Sequence, residues 1–139
     1  QVGIDYRFDR ALRVNTADAH RLIAWAATQG ADSPGGPQDL VVQTLFRSYF
    51  TDGADLCDQR VLVAAARDAG LDAGAAAEVV ASRGFADEVE TDLAEGVDRG
   101  ISGVPAFVID DKWMIPGAQE VDQMVRLLSQ VGGKEQQRR

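Results

Sequence analysis

The sequence predicts an α/β chain that is mostly helical, with a β-hairpin and one more helix placed after the helical block. Three observations carry this. Apolar residues recur at helical spacing in five consecutive segments as far as residue 99, each bounded by capping residues or glycines. The period then changes at Ala106-Phe107-Val108-Ile109, which is apolar on both faces. Asp110-Asp111 follows as a turn, and Lys112-Trp113-Met114-Ile115 reads as the returning strand.

The elements follow in chain order. Asn15 or Thr16 can cap a first helix whose apolar face is Ala19, Leu22, Ile23 and Ala26, with Gly30 as its stop signal. After the breaker cluster Ser33-Pro34-Gly35-Gly36-Pro37, the residues Val41, Val42, Leu45, Phe46, Tyr49 and Phe50 form a broad apolar stripe up to Asp52-Gly53. That breadth predicts a central, well-buried helix. Asp58 caps a third helix with Val61, Leu62, Ala65, Ala66 and Ala69, closed by Gly70. Asp72 caps a fourth with Ala76, Val79 and Val80, closed by Gly84. Both are short and alanine-rich, so close packing is expected. The fifth runs from Ala86 to Arg99, with Val89, Leu93 and Val97 on one side, and ends at Gly100. The last helix is expected near Gln119 to Gln130, with Val121, Met124, Val125 and Leu128 at helical spacing. The expected organisation is a helical domain over 1–100, a hairpin and helix over 101–131, and a frayed polar tail over 132–139.

Composition narrows the function. With 139 residues, 45% of them hydrophobic and 26% charged, the chain can bury a core as one ordinary globular domain. No apolar run approaches a membrane span and no basic-then-apolar leader is visible, so a cytoplasmic location is the expectation. A net charge of -8 argues against nucleic acid and anionic membranes as partners. A single cysteine, Cys57, and a single histidine, His20, exclude an internal disulfide framework and a typical structural zinc site. Cys57 lies within Asp55-Leu56-Cys57-Asp58, where acidic neighbours disfavour a thiolate. His20 suits a structural role better than acid–base work, and the acidic residues between Asp87 and Asp98 suit a solvated face better than a metal cluster. No cofactor and no metal are expected.

The stretch GISGVPAFVID, residues 100–110, is unusual because Pro105 stands at the mouth of an apolar strand. A two-sided apolar strand needs cover on both faces and partners along its edges, which two strands alone do not supply. The hairpin therefore reads as part of a larger sheet. Gln1-Val-Gly-Ile does not look like an initiation region, so the chain is expected to begin mid-protein.

Gly103-Val104-Pro105-Ala106-Phe107-Val108-Ile109, followed by Gly117-Ala118-Gln119, resembles the C-terminal part of DsbA-like thioredoxin-fold oxidoreductases, in particular the FrnE-type branch. Asn15 to Leu22 and Leu45 to Phe50 resemble that branch's helical insertion. The resemblance implies a partial α/β thioredoxin-like fold of the DsbA type, in which a Cys-x-x-Cys segment would precede the helical insertion. It implies that the Val104–Pro105 bond is cis, and that Gly103, Val104 and Pro105 form a redox-site and substrate-binding loop. No catalytic residue is then expected within these residues. The implied partners are a protein or small-molecule thiol or disulfide substrate, together with a missing N-terminal half or a second chain, as in a homodimer, to complete the sheet. Two other readings stand beside it. One is a fragment related to kappa-class glutathione transferases and 2-hydroxychromene-2-carboxylate isomerases, and the other is a non-enzymatic helical binding module.

Overall fold

Helix α1 (Ala17–Ala27) begins where Asn15 supplies a side-chain oxygen: Asn15 Oδ1 accepts a hydrogen bond from the Ala17 N–H at 2.9 Å. Thr16, the residue at the cap position itself, makes no such bond. Helix α2 (Pro37–Phe50) starts on a proline, which has no N–H to leave unpaired in the first turn. Asp58 and Asp72 act as expected at the starts of α3 (Gln59–Asp68) and α4 (Ala73–Ala81), accepting from the N–H groups of Arg60 at 2.9 Å and Ala75 at 2.7 Å. The Arg60 guanidinium also hydrogen-bonds Asp58 and holds its carboxyl below the usual aspartate range. Helix α5 (Ala86–Asp98), strands β1 (Ala106–Ile109) and β2 (Trp113–Pro116), and helix α6 (Val121–Gln136) complete the order. The computed structural model describes residues 5–10, 12–30 and 33–136.

The chain divides into two units, Gln1–Leu93 and Ala94–Arg139. The division falls inside α5, whereas the change of period along the sequence placed it after residue 100. In the first unit, α1 to α4 enclose a core of Ala19, Leu22, Trp25, Ala26, Val41, Leu45, Leu56, Leu62, Ala65, Ala66, Ala76 and Val80. The many alanines among them let the helix backbones approach closely. Two glycine-ended helices close in the same way. Gly70, at φ +85, gives its N–H to the Arg67 carbonyl, and the Leu71 N–H reaches back to the Ala66 carbonyl. These are the two bonds of the Schellman motif, which needs a left-handed residue at its bend.

The expected central position of α2 is corrected by the structure. Only Val41 and Leu45 are buried, and Phe46 is 60% exposed. The broad stripe serves two faces: Tyr49 packs partly buried against the core, whereas Phe50 meets the N-terminal segment. Phe50 meets Tyr6, Phe8, Phe46 and Tyr49 edge-on, at centroid distances of 5.8, 6.0, 5.9 and 4.9 Å. The Arg7 N–H donates to the Phe50 carbonyl at 2.7 Å, and the Tyr49 hydroxyl donates to the Leu12 carbonyl at 2.6 Å.

Gly53 lets the chain turn back beneath that segment. Its φ is +69, and an added Cβ would stand 2.6 Å from Arg10 Cβ. Gly53→Ala is therefore expected to cost about 2 kcal/mol through a strained backbone and a forced shift of Arg10. Urea unfolding followed by tryptophan fluorescence measures it; an unchanged midpoint would show that the segment repacks freely.

In the second unit β1 and β2 pair antiparallel, with Ala106 opposite Pro116, Phe107 opposite Ile115, Val108 opposite Met114, and Ile109 opposite Trp113. The turn uses Asp110 and Asp111, both at φ 51, a conformation that short polar side chains tolerate better than most. The returning strand starts at Trp113 and not at Lys112, whose N–H belongs to the turn and donates to the Ile109 carbonyl at 3.1 Å. Of the described residues in this unit only Ile115 is a buried apolar residue, and Phe107 and Met114 are each 42% exposed. Helix α6 continues past the expected end near Gln130 as far as Gln136, so the first part of the expected tail is helical. Gly132 and Gly133 do not stop it, because neither takes the positive φ that turns a glycine into a helix terminator. Residues 137–139 of that tail, and Gln1 to Ile4, lie outside the described residues. No helix among the described residues is long and apolar enough to cross a membrane.

Candidate functional site

The loop between α5 and β1 is held at both ends by backbone geometry. At its start, Gly100 has φ +75, its N–H donates to the Val97 carbonyl at 2.8 Å, and the Ile101 N–H donates to the Gly96 carbonyl at 2.9 Å. This is a second Schellman motif, so α5 ends sharply and the chain leaves in a defined direction. Arg99 adds a tie, contacting Asp111 in the hairpin turn at 3.2 Å and Glu95 at 3.6 Å. At the loop's far end the Pro105 carbonyl accepts from the Gly117 N–H at 2.8 Å. Gly117 itself is at φ +75, and Gln119 Nε2 donates to the neighbouring Pro116 carbonyl at 2.8 Å.

Between these anchors Ser102, Gly103, Val104 and Pro105 are all exposed, and Val104 is 90% so. An apolar side chain held in solvent on an anchored loop has no packing reason to be there. Among the described residues, neither the N–H nor the C=O of Val104 has a hydrogen-bond partner. The Val104–Pro105 peptide bond is cis. With Met114, Pro116 and Gly117 the loop lines a depression of about 200 Å³. An added Cβ at Gly103 would meet nothing within 4 Å, so this glycine leaves open backbone.

The depression contains no carboxylate, imidazole, thiol or cationic side chain. It can bind an extended backbone and a small apolar group; the one polar side chain of its lining is the Ser102 hydroxyl, and the lining holds no carboxylate, imidazole or amine to activate it. Cys57 belongs to the first unit, where its Sγ donates to the Asn15 carbonyl at 3.5 Å and its N–H donates to Asp55 Oδ1 at 2.8 Å. His20 is exposed on α1, also in the first unit. The three sequence-predicted loop residues are thus together, and Gly117 joins them as the residue that pins Pro105. Its Gly-Ala-Gln context is visible in the sequence, but its bond across the hairpin is not.

A family model, the DsbA-like thioredoxin domain, matches residues 1–129. The chain belongs to the DsbA-like thioredoxin family. A solved structure described as a probable DsbA oxidoreductase from Streptomyces coelicolor is similar to it, at 33% sequence identity and a TM-score of 0.75. The similarity covers 86% of this chain and 49% of that one, so the chain spans about half the length of this relative. No curated protein matches. The DsbA-like fold accounts for the mostly helical first unit, the small antiparallel sheet and the helix after it. The family is one of thiol-disulfide oxidoreductases.

Proposed function

We propose that this DsbA-like chain is part of a FrnE-type thiol-disulfide oxidoreductase, in which the loop Gly103-Val104-Pro105 receives the substrate and the nucleophilic cysteine pair lies outside these residues. The observation that carries the reading is Val104, exposed and with unpaired backbone groups on a loop anchored at both ends. An extended peptide can pair with those groups by strand addition while its side chains flank the depression. The substrate disulfide would then lie against Pro105.

The exchange itself needs two thiols from the cysteine pair. One, as a thiolate stabilised at a helix N-terminus, attacks a sulfur of the substrate disulfide. The substrate S–S bond breaks, its other sulfur leaves as a thiolate, and a mixed disulfide forms. The second thiol of the pair then attacks that mixed disulfide and releases the first substrate sulfur. The pair ends oxidised and the substrate ends reduced by two electrons; the reverse sequence oxidises a dithiol substrate. Val104 and Pro105 hold the substrate and move no electrons. The edge of β1 not paired with β2 suits a further strand, from the same polypeptide or from a second chain.

The test uses the complete translation product of the reading frame that encodes these residues, assayed for reduction of insulin disulfides. The product is expected to carry a Cys-x-x-Cys pair and to be active, and Val104→Asp is expected to lower kcat/KM about tenfold. The introduced carboxylate would face the attacking thiolate and disfavour it. Melting temperature should not move, because Val104 is almost wholly exposed. The 139-residue chain alone should leave the reaction at its uncatalysed rate. A product without a cysteine pair, or a Val104→Asp variant of undiminished activity, would overturn the reading.

A further inference from the structure

The first unit carries a second concave surface that the redox loop does not use. Helices α1 and α5 and the start of α2 border a groove of about 440 Å³ with Ile23, Val89 and Leu93 among its apolar residues and Gln38 and Asp92 among its polar ones. The groove continues past His20 into a second depression of about 220 Å³, where Phe46 and Tyr49 are part of the wall. The Asp92 carboxylate has no ion pair or hydrogen bond among the described residues. The helix that carries it, α5, holds six carboxylates and no cation. None of its residues is buried, and Leu93 is 66% exposed.

We infer that this groove docks a basic, apolar-rich extended segment of a protein substrate, with a lysine or arginine side chain lying over Val89 and Leu93 and its charged head at Asp92. This rests on the oxidoreductase reading for the word substrate, though not for the binding itself. Three features select this occupant. An unpaired carboxylate at the end of an apolar floor suits a side chain with an apolar stem and a cationic tip. Two depressions in series suit a chain with more than one side chain to place, and the second offers the exposed ring of Phe46 to an apolar or guanidinium group. The carboxylates of α5, on a chain of net charge -8, attract a basic segment and repel an acidic one.

The experiment measures fluorescence anisotropy of a labelled, cysteine-free dodecapeptide of alternating leucine and lysine or arginine, titrated with this chain. A counterpart carries glutamate at every basic position. The basic peptide is expected to bind at least about tenfold more tightly than the acidic one and to weaken as salt rises. Asp92→Asn should weaken it about threefold, and Leu93→Ser should weaken it further. Asp68→Asn, on α3 and away from the groove, should not. Both groove positions are exposed on a helix surface, so the variants remain folded. Equal binding of the two peptides, or an Asp92→Asn variant with unchanged affinity, would overturn the inference. Because the peptides lack cysteine, the groove can fail here while the complete protein still catalyses disulfide exchange, and it can hold where exchange fails.

Discussion

Replacing Arg21 by methionine is expected to destabilise the helical unit by about 3 kcal/mol, more than any surface charge on the chain should. Arg21 is 7% exposed and is the only buried charged residue among those described. Its guanidinium donates to the carbonyls of Val79 at 2.8 Å, Gly84 at 2.9 Å and Val80 at 3.1 Å, and to Asp18 at 2.9 Å. The last turn of α4 and the bend after it leave carbonyls that no further turn of helix can pair, and Arg21 satisfies them from α1. Methionine keeps the apolar stem but strands the Val80 and Gly84 carbonyls in a place that water reaches poorly, while the Val79 carbonyl retains the Ser82 hydroxyl at 3.2 Å. Lysine should recover only part of the loss, because one ammonium group cannot reproduce a fork of donors aimed at three carbonyls and a carboxylate. Urea unfolding of the wild type, Arg21→Met and Arg21→Lys measures both steps. Equal stability of Arg21→Lys and wild type would mean that charge alone, and not the fork, holds α4 to α1.

Leu62→Ala should cost about 4 kcal/mol, near the top of the range for such a truncation. The size follows from the neighbours. Leu62 is fully buried in a core where Ala19, Ala26, Ala65, Ala66 and Ala76 occupy positions that elsewhere hold larger side chains. Alanine has no rotamer with which to fill a void, and the helix backbones are already close, so most of the cavity should persist. The same truncation at Leu93, which is 66% exposed, should change stability little. Calorimetry on the two variants gives the comparison. A small loss at Leu62 would show that the helices can slide together, contrary to an alanine-limited packing.

The helix starts were legible because capping is a short-range contact. Asp58 and Asp72 each bond an N–H within three residues of themselves, so position along the chain is enough to place them. The helix stops at Gly70 and Gly100 were legible for the same reason, since only a residue tolerant of positive φ closes a helix in that way. Gly132-Gly133 shows the limit of that signal. The same residue type that ends α3 and α5 is carried inside α6, because glycine permits a left-handed turn without requiring one. The stripe on α2 shows another limit. Periodicity reveals which residues share a face of a helix but not what meets that face, and here Phe50, at the end of the stripe, meets Tyr6 and Phe8.

The loop Gly103-Val104-Pro105 was visible as a motif because a proline at the entrance of an apolar strand is locally unusual. That Gly117 pins Pro105, and that Val104 keeps both backbone groups unpaired, could be seen only once β2 had returned alongside β1. By itself the sequence determined the order of elements, their caps and the place where helical spacing gives way to a strand, because each depends on residues within about one helical turn. The tertiary structure decided which stripe is core, which arginine closes another helix and which backbone groups remain open, because each depends on what a distant segment brings to the same point.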